Sequence, residues 1–160
     1  MRRRRHPLVL LLAALALAGA VVVATLAGAV GGVPPLFASN SAGGPRLALD
    51  QIGEIAEQAG FSGAGLAMAI AVALSESGGD PLAIDHDSNG TVDRGLWQIN
   101  SVHRAYSAAC DYDPACAAQA AYQISGGGRD WSAWVTYQRG EEIPFLPAAV
   151  SFAAGQVAAT

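Results

Sequence analysis

Apolar residues fall into a few helix-spaced runs separated by glycine-rich breaks, with one segment of different texture near the middle. Ile52, Ile55, Ala56 and Ala59 share one face, predicting a helix over Gln51–Ala59 with Asp50 as its N-cap and Gly60 as its stop. Ala64–Ser75 is apolar almost all round (LAMAIAVAL), as a helix enclosed by its own domain is, and Ser62 precedes it as a cap. It is too short to span a bilayer. Asp87–Ile99 then mixes turn formers with Val92, Leu96, Trp97 and Ile99, and Asn89-Gly90 is a strong hairpin-turn pair. A small β-hairpin is expected there, followed by a helix or turn at Ser101–Ala108.

Asp113-Pro114 reads as the N-cap and first residue of a helix over Ala115–Ile124, ended by Ser125-Gly126-Gly127-Gly128. Asp130 is placed as the cap of a short helix, Trp131–Gln138, stopped by Gly140. The Ala-rich remainder, 143–160, contains two prolines and is assigned no role. The fold class is therefore mainly α, in an α+β arrangement of four to five helices and one small hairpin, over residues 47–142.

The amino-terminal part changes the picture of a plain helical domain. Arg2–Arg5 precede Leu8–Val33, 26 residues without a charge. This pattern in 1–33 reads as a transmembrane anchor or a signal peptide. Its length favours an anchored hydrophobic helix, and Ala27-Gly28-Ala29 has the small-residue form of a cleavage site. Residues 34–46, rich in Gly, Pro and Ser, form a linker. On either reading the rest of the chain is exported, with the arginines left on the cytoplasmic side.

Beyond the leader there are five Arg, no Lys and thirteen acids, a net charge of −8. Such a surface argues against nucleic acid as a partner. It offers no long-range attraction to an anionic polymer, so any polymer is held by local hydrogen bonds and stacking. In an exported chain Cys110 and Cys116 are placed as a disulfide closing a short loop. Two Cys without a neighbouring His supply too few ligands for a metal site.

The candidate chemistry lies where the buried helix meets the hairpin. Glu76 sits at the helix end and Asp93 on the hairpin, 17 residues apart. Paired carboxylates across a cleft are the usual means of breaking glycosidic bonds, one protonated and the other ionised. Burial and the negative end of the helix dipole both raise the pKa of Glu76, suiting it to act as the acid. Asp93, in a polar strand beside Arg94, is expected to stay ionised. The plainer alternative is an ordinary helix-terminal acid and a hairpin residue bonding its own turn.

The run Glu76-Ser77-Gly78-Gly79, followed by Asn89-Gly90-Thr91-Val92-Asp93-Arg94-Gly95-Leu96-Trp97-Gln98-Ile99-Asn100-Ser101, resembles the core of the lysozyme-like superfamily. That superfamily includes the C-type lysozymes and the small bacterial lytic transglycosylases of the SLT type. The Glu-to-Asp spacing is similar to that of the C-type lysozymes. Trp134, in Asp130-Trp131-Ser132-Ala133-Trp134-Val135-Thr136-Tyr137, resembles the tryptophan that packs on the catalytic Glu, an arrangement known from lysozyme to raise its pKa. The resemblance covers Asp50–Gly140.

It implies peptidoglycan glycan strands as substrate, cut at the β-1,4 bond between N-acetylmuramic acid and N-acetylglucosamine, with no cofactor. It implies Glu76 as catalytic acid and then base, and Asp93 as nucleophile or stabiliser in a hydrolase. Ser77, Gln98, Asn100, Trp134 and Tyr137 form the implied substrate-binding set, with Ser77 orienting Glu76 or touching substrate. C-type lysozymes carry several disulfides and are often basic. The single cysteine pair and acidic charge here are closer to the small transglycosylase domains of secretion and conjugation machinery, and a lytic transglycosylase is the favoured reading.

Two rival readings share these residues. Asp85, Asp87, Asn89, Gly90 and Asp93 fit positions of a calcium loop, but Leu96 stands where its last acid belongs. A non-catalytic glycan-binding or envelope-assembly module would keep the aromatics without needing Glu76. Ser75, Ser77 and His103 form no recognisable triad motif, and His103 is read as a surface residue.

Overall fold

A computed structural model describes residues 45–158. Six helices and a three-stranded sheet follow in the order α1 (Leu49–Gln58), α2 (Gly63–Ser77), β1 (Ile84–His86), β2 (Val92–Arg94), β3 (Ile99–Asn100), α3 (Ala108–Tyr112), α4 (Pro114–Ile124), α5 (Val135–Arg139) and α6 (Leu146–Ala158). A 3-10 turn, Ile143–Phe145, leads into α6. The arrangement is the α+β, mainly helical class expected. The amino-terminal hydrophobic segment and nearly all of the linker lie outside the described residues. Among those described, no helix is long and apolar enough to cross a membrane.

The all-round apolar helix α2 is central. Leu66, Ala67, Ala69, Ile70, Ala71, Val72 and Ala73 are buried, and α1 and α6 pack against it. Ile52 and Ala56 of α1 face inward, as their spacing predicts. Alanine supplies much of the remaining core, including Ala117, Ala118, Ala120 and Ala121 of α4. Short side chains allow close helix approach, since interaxial distance follows the residues at the contact.

Some element ends differ from expectation. The N-cap of α1 is Ala48, whose N–H donates to the Gln51 side chain at 2.9 Å, so Asp50 lies inside the first turn. Asp113 caps α4 as predicted, accepting from the Cys116 N–H at 2.8 Å with Pro114 behind it. Cys110 and Cys116 are joined in a disulfide, tying α3 to α4. The helix expected from Trp131 begins only at Val135. Asp130 instead accepts from the Ser132 N–H at 2.9 Å, and this local turn competes with a helix start.

The Ala-rich segment after Glu142 is an integral part of the fold. α6 lies on α2 and α1, with Ala149 and Ala153 buried. The Phe152 ring occupies the space above Gly53, where any Cβ would collide with it. Arg46, read as linker, docks on the end of α2 and donates from Nη1 to the Gly78 carbonyl at 3.0 Å.

The sheet is an antiparallel meander, β1-β2-β3. Asp85 pairs with Asp93, and Asp93 with Asn100. The hairpin starts earlier than expected, at Ile84, and carries one additional short strand. Its turn is closed by the Gly90 N–H on the Asp87 carbonyl at 3.0 Å and by Asn89 Oδ1 accepting from the Thr91 N–H at 2.8 Å.

Candidate active site

Glu76 stands on the last turn of α2, with Gly78 in the left-handed conformation ending the helix directly after it. Ser77 joins this end to the sheet. Its hydroxyl is shared between the carbonyls of Ala73, at 3.0 Å, and Leu96, at 2.9 Å, and accepts from the Gly79 N–H at 3.1 Å. With these contacts Ser77 is a fastening between helix and sheet. It acts on Glu76 by fixing the backbone that carries it.

Asp93 reaches the same place from β2. Side chains alternate across a strand, so Asp93 and Arg94 point to opposite sides. Arg94 turns away and meets buried Asp111, Nη1 to Oδ2 at 3.8 Å. Arg94 still favours the Asp93 carboxylate, as its adjacency suggested, but other effects outweigh it. Burial pushes the Asp93 carboxyl above its ordinary value, nearby Asn100 and Arg94 oppose this, and the acids Asp87 and Asp85 add to the rise.

The two acids share a groove made of two adjoining hollows of ≈ 510 and ≈ 610 Å³. Glu76, Asp85, Asp93, Gln98 and Thr136 line both, so the groove runs past Glu76 on either side. One arm is bordered by Asn100, His103, Trp134, Val135 and Arg139. Arg46, Ser77, Asp80, Leu82, Ile84 and Glu141 border the other. A groove open on both sides of one carboxyl suits an extended polymer.

The surroundings of Glu76 favour its protonated form. Its pKa is raised from the usual 4.5 to about 7, above all because burial disfavours the charge, with Asp93 and Glu141 adding repulsion. Thr136 opposes these effects by donating its hydroxyl to Glu76 Oε1 at 2.5 Å. A carboxyl near neutrality at working pH can both give and take a proton.

A profile of the lysozyme-like domain matches residues 53–136, more than half of the chain. The chain belongs to the lysozyme-like domain family. This is a family of glycan-cleaving enzymes directed at peptidoglycan, and the match spans Glu76, the hairpin and Trp134. No curated protein matches the chain.

The remaining residues that the lysozyme-like resemblance implied divide by geometry. Trp134 is buried beside the groove and donates its indole N–H to the Trp97 carbonyl at 2.8 Å. Gln98 lines both arms with an unusual positive φ of 45°. Its amide nitrogen is committed to the carbonyls of Gly95 and Ala83, at 2.9 and 3.2 Å. Asn100 lines one arm, but its Nδ2 serves Asp87 and Thr91 and its Oδ1 accepts from the Val102 N–H. It braces the hairpin, and a sugar contact must compete with those bonds. Tyr137 is exposed on α5 and borders neither arm; its neighbour Thr136 does.

Thr136, Glu141 and Arg139 carried no signal in the sequence. His103, read as a surface residue, borders one arm of the groove. The Asp85–Asp93 segment spends its oxygens on its own turn, with Asp87 Oδ2 accepting from Thr91 and Asn100. Among the described residues, no three His, Cys, Asp or Glu gather into a group able to hold a metal ion.

Proposed function

We propose that this chain is a lytic transglycosylase that cuts the β-1,4 bond between N-acetylmuramic acid and N-acetylglucosamine in peptidoglycan. The observation that carries the reading is Glu76, with a pKa near 7, midway along a two-armed groove. Glu76 gives its proton to the glycosidic oxygen as the C1–O bond breaks, and positive charge develops at C1. The resulting carboxylate takes the proton of the muramic acid 6-hydroxyl as that oxygen closes on C1. The products are a 1,6-anhydro end and a free 4-hydroxyl, and Glu76 recovers its proton.

The hydrolytic alternative rests on a specific fact: Asp93 lines both arms beside Glu76 and interacts with it electrostatically. In that route Asp93 attacks or stabilises C1, and water completes the reaction.

Export also belongs to this proposal, supported by the basic and apolar leader. So do a membrane tether facing the cell wall and service to a secretion or conjugation apparatus.

Mass spectrometry of digested peptidoglycan is the deciding experiment. Anhydro ends are expected; reducing ends would assign the hydrolase. Glu76→Gln should abolish cleavage while leaving glycan binding intact. Undiminished turnover in that variant would overturn the role of Glu76.

A further inference from the structure

Thr136 stands at the second position of α5, two residues after buried Trp134, whose indole is fastened to the Trp97 carbonyl. Its carbonyl accepts from the Gly140 and Glu141 N–H groups, so the backbone on both sides is held. A β-branched side chain has few χ1 states, and the Thr136 hydroxyl is therefore aimed before any substrate arrives. It donates to one specific atom of the acid, Glu76 Oε1.

We propose that Thr136 is the positioning residue of this acid: by making Oε1 an acceptor, it leaves Oε2 as the atom that carries the proton to and from the sugar. In a protonated carboxyl the carbonyl oxygen is the stronger acceptor, so a hydroxyl donating to Oε1 favours the proton on Oε2. Thr136 also fixes the rotation of the carboxyl about its last bond, a torsion that is otherwise broad. The step is unchanged in atoms: the proton on Oε2 passes to the glycosidic oxygen, and the 6-hydroxyl proton returns to Oε2. The inference rests on the glycan-cleaving reading for its reaction, while the contact itself does not.

Thr136 bears on the second half of the reaction as well. Burial, Asp93 from β2 and Glu141 after α5 all favour the protonated acid, and the Thr136 hydroxyl favours the carboxylate. Asp85, His103 and Arg139 border the same arm. Of the groups acting most strongly on Glu76, Thr136 is the one that supports the base it must become after proton transfer.

The test compares the full chain with Thr136→Val, which keeps the shape without the hydroxyl, and Thr136→Ser, which keeps the hydroxyl. Thr136→Ala serves the same comparison should the valine variant fold poorly. The Glu76 carboxyl is followed by carbon-13 NMR titration, assigned by its loss in Glu76→Gln, and kcat and KM are measured against pH on glycan strands. Loss of the hydroxyl should move the Glu76 titration to higher pH and lower kcat on the order of 10- to 100-fold, with KM little changed. Thr136→Ser should restore both. An unmoved titration in Thr136→Val, or a serine variant as impaired as valine, overturns the proposal. Inactivity of the unaltered protein counts against the enzymatic reading instead, and the NMR comparison still decides the role of Thr136.

Discussion

Trp134 donates its indole N–H to the Trp97 carbonyl at 2.8 Å, with both rings buried. The bond spans 37 residues and fastens the segment before α5 to the base of the sheet. Trp97 in turn donates its own indole N–H to the Ala69 carbonyl in the middle of α2 at 3.0 Å. The two tryptophans thus link α2, the sheet and α5, the elements that deliver Glu76, Asp93 and Thr136. Trp134→Phe would leave the Trp97 carbonyl buried and unpaired. A loss of roughly 1–3 kcal/mol is expected, measured by denaturant unfolding. Stability unchanged within ~0.5 kcal/mol would show that this link carries little.

Gly95 should be the least replaceable glycine of the hairpin. Its φ is +72°, and a Cβ there would overlap the Asp111 carbonyl. Gly90 has a φ of +88° with open space around it. Gly90→Ala should cost about 1–2 kcal/mol, the conformational term alone. Gly95→Ala should cost several kcal/mol more or prevent folding, because backbone must move. Equal melting temperatures for the two variants would contradict this difference.

Stability should fall as pH rises through neutrality. Glu76 titrates near 7 in the folded chain against the usual 4.5. Between these values the folded state binds more protons than the unfolded one. The contribution is therefore complete below pH 4.5 and is lost as pH rises through about 7. Asp93 and Asp111, also raised, act with the same sign. Glu76→Gln should flatten the decline by at most about 3 kcal/mol. Cleavage, which needs the protonated acid, should decline above pH 7 in step. An equally steep stability decline in Glu76→Gln would assign it to other groups.

Asp93→Asn separates the two chemical routes. Removing its charge should lower the Glu76 pKa and carry the alkaline limb of the rate profile to lower pH. On the transglycosylase route cleavage should persist within ~10-fold. A fall on the order of 1,000-fold or more would give Asp93 a direct part in the reaction.

α6 should behave as core on one side and surface on the other. Ala149 is fully buried and Ala148 exposed. Ala149→Leu should cost about 1–3 kcal/mol through overpacking, and Ala148→Leu less than ~0.5 kcal/mol. Indifference at both positions, read from urea midpoints, would detach α6 from the core.

Several parts of this arrangement are legible without coordinates. A helix apolar on every side has to be enclosed, so α2 is central and a polar residue at its end stands at a boundary. Asp113-Pro114 and Asn89-Gly90 act through neighbouring backbone, and both function where the sequence places them. The Glu76-to-Asn100 pattern is local enough to bring the acid and hairpin together. Its weakest point was Asp93, because adjacency to Arg94 suggested a charge partner. Strand alternation sends that guanidinium towards Asp111, and burial outweighs its remaining pull on Asp93.

The rest depends on residues far apart in the chain. Thr136 meets Glu76 across 60 positions, and no periodicity or cap links them. The resemblance placed Tyr137 in the substrate-binding set, yet on a five-residue helix it stands exposed while its neighbour Thr136 meets Glu76. The tail was opaque because alanine carries little directional signal, and only contact with α2 reveals which alanines face the core. The sequence by itself determined a buried helix ending in an acid, with a hairpin next to it, because these follow from local periodicity, caps and turns. Tertiary structure alone decided which hydroxyl holds that acid, where Arg94 points and what covers α2, because each is a meeting of surfaces that chain order does not encode.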